Sequence, residues 1–135
     1  MAELGWAKEL HSYAIVQGDA SLLIRNTQVH LYGIHIPDTG NSCRTSIRPI
    51  KCMSRAALAL DFKIQGFVRC ELIEHYSDGS VGGQCFTHDD EDLGAYLIER
   101  GWALALPEAP FEYQAAERIA RHNNKGVWGF TSGGY

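Results

Sequence analysis

The chain has 135 residues, of which 45% are apolar and 21% charged, and 16 acidic against 12 basic residues give a net charge of −4. This length suits one domain with a single core, and the composition excludes a disordered chain. No run approaches the roughly 18 apolar residues of a membrane helix, so we expect no membrane segment. The N-terminus lacks a basic cluster followed by an apolar stretch, so we do not expect a signal peptide in this chain.

The basic residues are scattered along the chain. Three lie within residues 44–51 and three within residues 118–125. Because nucleic-acid binding draws on clustered Lys and Arg, the charge does not favour nucleic acid as a partner, although a local patch remains open. We expect a monomer that binds a ligand or partner protein of unknown identity.

Short strands open the chain. The predicted strands cover residues 13–16, 21–24 and 29–34. Gly18-Asp19 and Asn26-Thr27 are turn signals between them, and residues 37–49, rich in Pro, Gly, Asn, Ser and Thr, predict a loop.

The second half combines helices with a hairpin. Ser54 is a good N-cap for a helix over residues 55–62. Residues 67–76 and 80–86 flank a Gly-containing turn and predict a two-stranded hairpin. Two further helices are predicted over residues 90–100 and 111–122. On the last helix we expect four apolar residues to face inward, namely Ala115, Ala116, Ile119 and Ala120.

This order of elements is not a βαβ alternation. A five-stranded closed barrel with attached helices fits it, and the OB-fold is the commonest such barrel. We therefore predict an α+β protein with a five-stranded OB-fold β-barrel and three helices. The domain would cover residues 13–130, with an N-terminal extension at 1–12 and a tail at 131–135.

Several motifs in the right order give the chain a family resemblance. Gly18-Asp19 is followed by residues 29–38 (VHLYGIHIPD), then by Asp78-Gly79-Ser80, Gly101-Trp102-Ala103 and Gly126-Val127-Trp128. Together they resemble the staphylococcal-nuclease-like family, from about residue 13 to residue 129. The resemblance implies an OB-fold barrel and calcium-assisted hydrolysis of a phosphodiester.

The four cysteines strengthen the resemblance. Bacterial extracytoplasmic members carry a similar pair before the first helix and another in the hairpin, which implies the disulfides Cys43–Cys52 and Cys70–Cys85. Independently, a turn at Ser77-Asp78 puts Cys70 opposite Cys85 on neighbouring strands. Disulfides imply a periplasmic or secreted protein. The alternative is four buried thiols in a cytosolic protein.

Most of the family's catalytic positions are substituted in this chain. Asp19 matches the first metal-binding aspartate, but His35 replaces the second, and His30 replaces the first arginine. Asp38 stands for the catalytic glutamate, one methylene shorter, and Ser80 replaces the second arginine. Because the arginines neutralise charge developing on the phosphate, their loss predicts little or no nuclease activity.

The same substitutions bear on the cofactor. Imidazole is a poor ligand for a hard cation, so with His35 in the site we expect calcium to bind weakly or not at all. If Asp19, His30, His35 and Asp38 line one cleft, their mixed nitrogen and oxygen donors suit zinc, copper or nickel better. Otherwise Asp19 is a turn residue and the histidines are ordinary surface residues of the barrel.

Two functions follow. The first is a non-catalytic binding or interaction module that reuses the barrel, and the acidic charge and the missing arginines favour it. The alternative is a metal-dependent phosphodiester hydrolase, a nuclease with an altered active site.

Overall fold

The computed structural model describes residues 8–39, 41–44 and 51–131, and for residues 41–44, 51–52 and 130–131 it describes the backbone alone. The protein is a mixed α+β structure. None of the helices in this part of the chain is long and apolar enough to cross a membrane.

Ten short strands and four helices make up the described fold. The strands are β1 (Glu9–Tyr13), β2 (Ile15–Val16), β3 (Leu22–Ile24), β4 (Thr27–Leu31), β5 (Ile34–His35), β6 (Asn41–Arg44), β7 (Lys51–Ser54), β8 (Phe67–His75), β9 (Val81–Phe86) and β10 (Leu104–Ala105). The helices are α1 (Arg55–Lys63), α2 (Leu93–Glu99), α3 (Phe111–His122) and α4 (Val127–Thr131).

Six strands form the main sheet, in the order β1-β8-β9-β4-β3-β2. Strands β4 and β9 run parallel, whereas the other neighbours are antiparallel. Strands β1 and β2 lie at opposite edges, yet only Ala14 separates them along the chain. They are therefore two halves of one bent strand, the first paired with β8 and the second with β3. The sheet is thus a nearly closed barrel of five strands, consistent with an OB-like fold.

Alternation along the strands sorts side chains between the core and the surface. In β3, Leu22 and Ile24 are fully buried while Leu23 between them is half-buried, and Val68 and Cys70 of β8 are buried on either side of Arg69. This period of two is what a sheet with one apolar face requires. A turn with positive φ at Arg25 and Asn26 joins β3 to β4, the geometry of a tight hairpin.

Two boundaries in the sheets differ from the sequence prediction. The first strand begins at Glu9, so residues 9–12, expected to form an extension, pair with β8. The predicted loop at 37–49 contains β6, which pairs with β7, while residues 40 and 45–50 lie outside the described part. Hydrogen bonds to a neighbouring strand, which a local pattern cannot show, decide both cases.

Capping residues set where helices α1 and α2 begin. The hydroxyl of Ser54 accepts a hydrogen bond from the N–H of Ala57, as predicted for the start of α1. Helix α2 begins later than predicted, because Asp92 caps it through the N–H of Ala95. On α3 the inward prediction is wrong for Ile119, which is 63% exposed, while Tyr113 takes the core position instead. The short helix α4 was not predicted.

The hairpin of β8 and β9 carries a disulfide between Cys70 and Cys85, which are register partners. This confirms one predicted pair, and such bonds form and persist in oxidising compartments. Cys43 and Cys52 are also register partners, on β6 and β7. The side chains of that second pair lie outside the described residues, so the pair remains a prediction.

We expect replacement of Cys70 and Cys85 together by Ala to lower the free energy of unfolding by about 2–4 kcal/mol, because the bond closes a loop in the unfolded chain and ties two core strands. Urea denaturation of oxidised protein measures the loss. The matched control replaces Cys43 and Cys52 by Ala and should cost less. A larger loss for the control, or four free thiols by mass after alkylation, would contradict the prediction.

Candidate functional site

Two turns near His30 share the sequence Asp-x-Ser and the same hydrogen bonds. The Oδ1 atom of Asp19 accepts from the N–H of Ser21 at 2.9 Å and from its hydroxyl at 2.6 Å. The Oδ1 atom of Asp78 accepts from the N–H of Ser80 at 2.9 Å and from its hydroxyl at 2.6 Å. Aspartate side chains commonly hold turns in this way. Each carboxylate therefore uses one of its two oxygens to accept the hydrogen bonds that hold its own turn.

The burial of Ser80 limits what this residue can do. Its side chain is only 4% exposed, and its hydroxyl donates to Asp78. Its carbonyl accepts from the N–H of Tyr76, which closes the hairpin. At the position where the family resemblance implies an arginine, this chain therefore has a small group turned into the structure.

Asp19 and His30 meet in a small pocket. The pocket has a volume of about 180 Å³. Its lining consists of Asp19, Ala20, Ser21, His30, Leu31, Ile34 and Ile36. One carboxylate, one hydroxyl and one imidazole therefore line this small pocket together with apolar residues.

His30 acts electrostatically on both turn carboxylates. Burial pushes the pKa of Asp19 up, but the hydrogen bonds from Ser21 and the charge of His30 outweigh it, so the pKa lies below its ordinary value. The pKa of Asp78 is lowered mainly by the Ser80 hydroxyl and N–H, again with help from His30. Both carboxylates are thereby held in the ionised form.

Tyr76 covers the other side of His30. Their ring centroids lie 6.0 Å apart in an edge-to-face arrangement. The tyrosine fits because its β9 neighbour is Gly82, the register partner of His30, where a Cβ would lie 2.7 Å from the Tyr76 hydroxyl. That hydroxyl donates to Glu74 at 2.8 Å, which raises the pKa of Tyr76 to about 12. Tyr76 is therefore a neutral donor at neutral pH.

The predicted site residues His35 and Asp38 are not part of the pocket lining. His35 is exposed on β5, where it pairs with Leu104 of β10. Because side chains alternate along a strand, Ile34 and Ile36 line the pocket while His35 does not. Asp38 is exposed in the segment after β5. The pocket brings together Asp19 and His30, but neither His35 nor Asp38.

The described side chains form no ready-made metal site. Among them, no three His, Cys, Asp or Glu side chains converge on a point that could hold a metal. The proposed zinc, copper or nickel set would need His35 and Asp38 to join Asp19 and His30, which this arrangement of β5 does not provide.

Sequence reasoning missed three members of this site, namely Ser21, Tyr76 and Asp78. The repeated Asp-x-Ser pattern at residues 19–21 and 78–80 was a usable signal for the two turns. Tyr76 had none, because only the parallel pairing of β4 with β9 brings it to His30.

No family model matches the chain. It is 27% identical over 119 residues to the succinoglycan biosynthesis protein ExoI of Rhizobium meliloti (strain 1021). The matched region covers 85% of this chain and 62% of that protein. The chain thus spans less than two thirds of the length of this relative.

We expect Asp19→Asn to lower the free energy of unfolding by about 1 kcal/mol at neutral pH, since a charge-assisted bond becomes a neutral one at a partly exposed site. The pKa of Asp19 is lowered in the folded state, so its contribution is present above the unfolded value of 3.8 and is lost as pH falls through the folded value. Urea denaturation at about pH 7 and about pH 2.5 measures both limits.

The control is a double-mutant cycle with Ser21→Ala, which removes the hydroxyl donor. The two substitutions should be coupled at neutral pH and uncoupled in acid. An Asp19→Asn effect of equal size at both pH values would contradict the assignment.

Proposed function

We propose that the chain is a non-catalytic binding module built on a staphylococcal-nuclease-like barrel. The observation that carries the proposal is Ser80, which is buried and donates its hydroxyl to Asp78. A group that stabilises phosphoryl transfer must reach the developing negative charge, and arginine does so with a planar, charged fork. Ser80 has neither the charge nor the reach.

Two other features support the same proposal. At the position of the second calcium-binding aspartate of the family this chain has His35, whose imidazole is a poor ligand for a hard cation. Asp19 itself is engaged by Ser21 through both the backbone and the side chain. The residues at the old catalytic positions therefore serve turns and strand surfaces.

The setting of the module also belongs to the proposal. The Cys70–Cys85 disulfide supports an extracytoplasmic location. The likeness to a succinoglycan biosynthesis protein supports a part in making a polysaccharide of that type. In that setting the barrel would bind a component involved in polysaccharide synthesis rather than cleave a nucleic acid.

A nuclease with an altered active site is the second candidate. The pocket shared by Asp19 and His30 favours it, because a carboxylate and an imidazole can bind a metal or move a proton. It would have to work without either arginine, and loss of one donor to an oxyanion typically costs about 10²–10³ in rate.

We expect the wild type to cleave DNA and RNA at background rate with calcium, magnesium, manganese, zinc or nickel, because His30 and Ser80 replace the two arginines that the resemblance implies. A gel assay with purified protein measures this. The companion variant carries His30→Arg, His35→Asp, Asp38→Glu and Ser80→Arg, which restores the implied catalytic set, and calcium-dependent cleavage should rise above background in it.

The matched control is Ser80→Ala, which breaks the hydrogen bond to Asp78 without adding charge and should leave cleavage at background. Robust cleavage by the wild type that Asp19→Ala abolishes would refute the proposed function.

A further inference from the structure

A groove between α1 and α2 lies apart from the His30 pocket. It has a volume of about 450 Å³, within the range of ligand sites. Its lining consists of Arg55, Leu58, Ala59, Phe62, Tyr96, Arg100 and Trp102. The four residues from α1 are spaced i, i+3, i+4 and i+7, so they form one continuous stripe along that helix.

Cations stacked on aromatic rings form the walls of the α1–α2 groove. The guanidinium of Arg55 lies 5.6 Å from the centre of the Trp102 ring, and that of Arg100 lies 5.3 Å from the centre of the Tyr96 ring. The ammonium of Lys63 lies 5.1 Å from the centre of the Tyr96 ring. Stacking orders these side chains before any partner arrives, which lowers the entropy that binding would cost.

The charge of the α1–α2 groove is opposite to that of the whole chain. The protein has a net charge of −4, yet two arginines share this lining. Lys63 is paired with Glu91 at 2.6 Å, whereas among the described residues no carboxylate forms an ion pair with Arg100. Charge complementarity therefore selects an anionic partner.

The apolar part of the groove argues for a protein partner. Phe62 is 79% exposed at the end of the stripe, and Leu58 and Ala59 lie beside it. Aromatic residues and Arg are the types that dominate binding energy at protein interfaces. Cations already lie over the Trp102 and Tyr96 rings, which reduces the ring surface left to stack on a base or a sugar.

We propose that the α1–α2 groove docks an acidic peptide segment of a partner protein. An apolar side chain of that segment packs on Phe62 and Leu58, and a carboxylate pairs with Arg100. This inference rests on the proposed binding role but not on the loss of nuclease activity, because the groove and the His30 pocket share no residue.

The test is selection from a random dodecapeptide display library on the immobilised wild-type protein, followed by fluorescence anisotropy with synthetic copies of the selected peptides. We expect selected sequences rich in Asp and Glu around Phe, Leu or Trp. Phe62→Ala and Arg100→Ala should each weaken binding by about tenfold or more, with partial recovery in Arg100→Lys. Raising NaCl from about 0.05 to about 0.5 M should also weaken binding.

Matched controls lie on the outer face of α3. Ile119→Ala and Arg118→Ala remove an exposed apolar residue and an exposed arginine, and both should leave the affinity unchanged. The groove variants change exposed side chains, and circular dichroism should confirm that all five variants are folded.

Three outcomes would overturn the proposal. The first is no enrichment, or peptides whose affinity is the same for the groove variants as for wild type. The second is binding of oligogalacturonate, a carboxylated oligosaccharide, that Arg100→Ala abolishes in the absence of any peptide binding. The third is self-association of the wild type that Phe62→Ala removes, which would make a second copy the partner. Nuclease activity in the wild type would refute the proposed function and leave this result standing.

Discussion

The pairing of β8 with β9 is the constraint on which most of the barrel depends. The turn held by Asp78 and Ser80 sets the pairing next to the turn, and a register shift between Leu72 and Glu74 then brings Cys70 opposite Cys85. Because side chains alternate, a slip of one residue would turn Val68 and Cys70 away from the core and separate Cys70 from Cys85. The same register aligns β9 against β4, and so places Gly82 beside His30. Core, disulfide and pocket therefore share one structural cause.

The residues around His30 already form hydrogen bonds that stabilise the fold. Asp19 and Asp78 each hold a turn, Ser80 is buried, and Tyr76 donates to Glu74. Catalytic groups need hydrogen-bond donors or acceptors that are directed at a substrate. This physical competition between holding a turn and stabilising a reaction links the stability of the barrel to the proposed loss of catalysis.

Charge is distributed unevenly between the two candidate regions. Around the His30 pocket, the carboxylates of Asp19 and Asp78 have lowered pKa values and keep negative charge close to the imidazole. This negative charge repels a phosphate backbone. In the α1–α2 groove, cations rest on aromatic rings. The net charge of the chain does not show this contrast, because it does not say where in the fold each charge lies. For the same reason the scattered basic residues of the sequence carried little information about a partner.

The sequence by itself determined the elements whose signals are local. The Ser54 cap, the hairpin centred near Asp78 and the opposition of Cys70 to Cys85 depend on neighbours along the chain, and a pattern of two or 3.6 residues reveals them. Tertiary structure decided what depends on distant pairing. It drew residues 9–12 into the sheet by pairing them with β8, and it left Ile119 exposed by giving the core position to Tyr113. It also left His35 exposed on β5, which pairs with β10 about 70 residues later in the chain. Contacts between residues far apart in sequence leave no periodic mark on either segment, so only the folded chain reveals them.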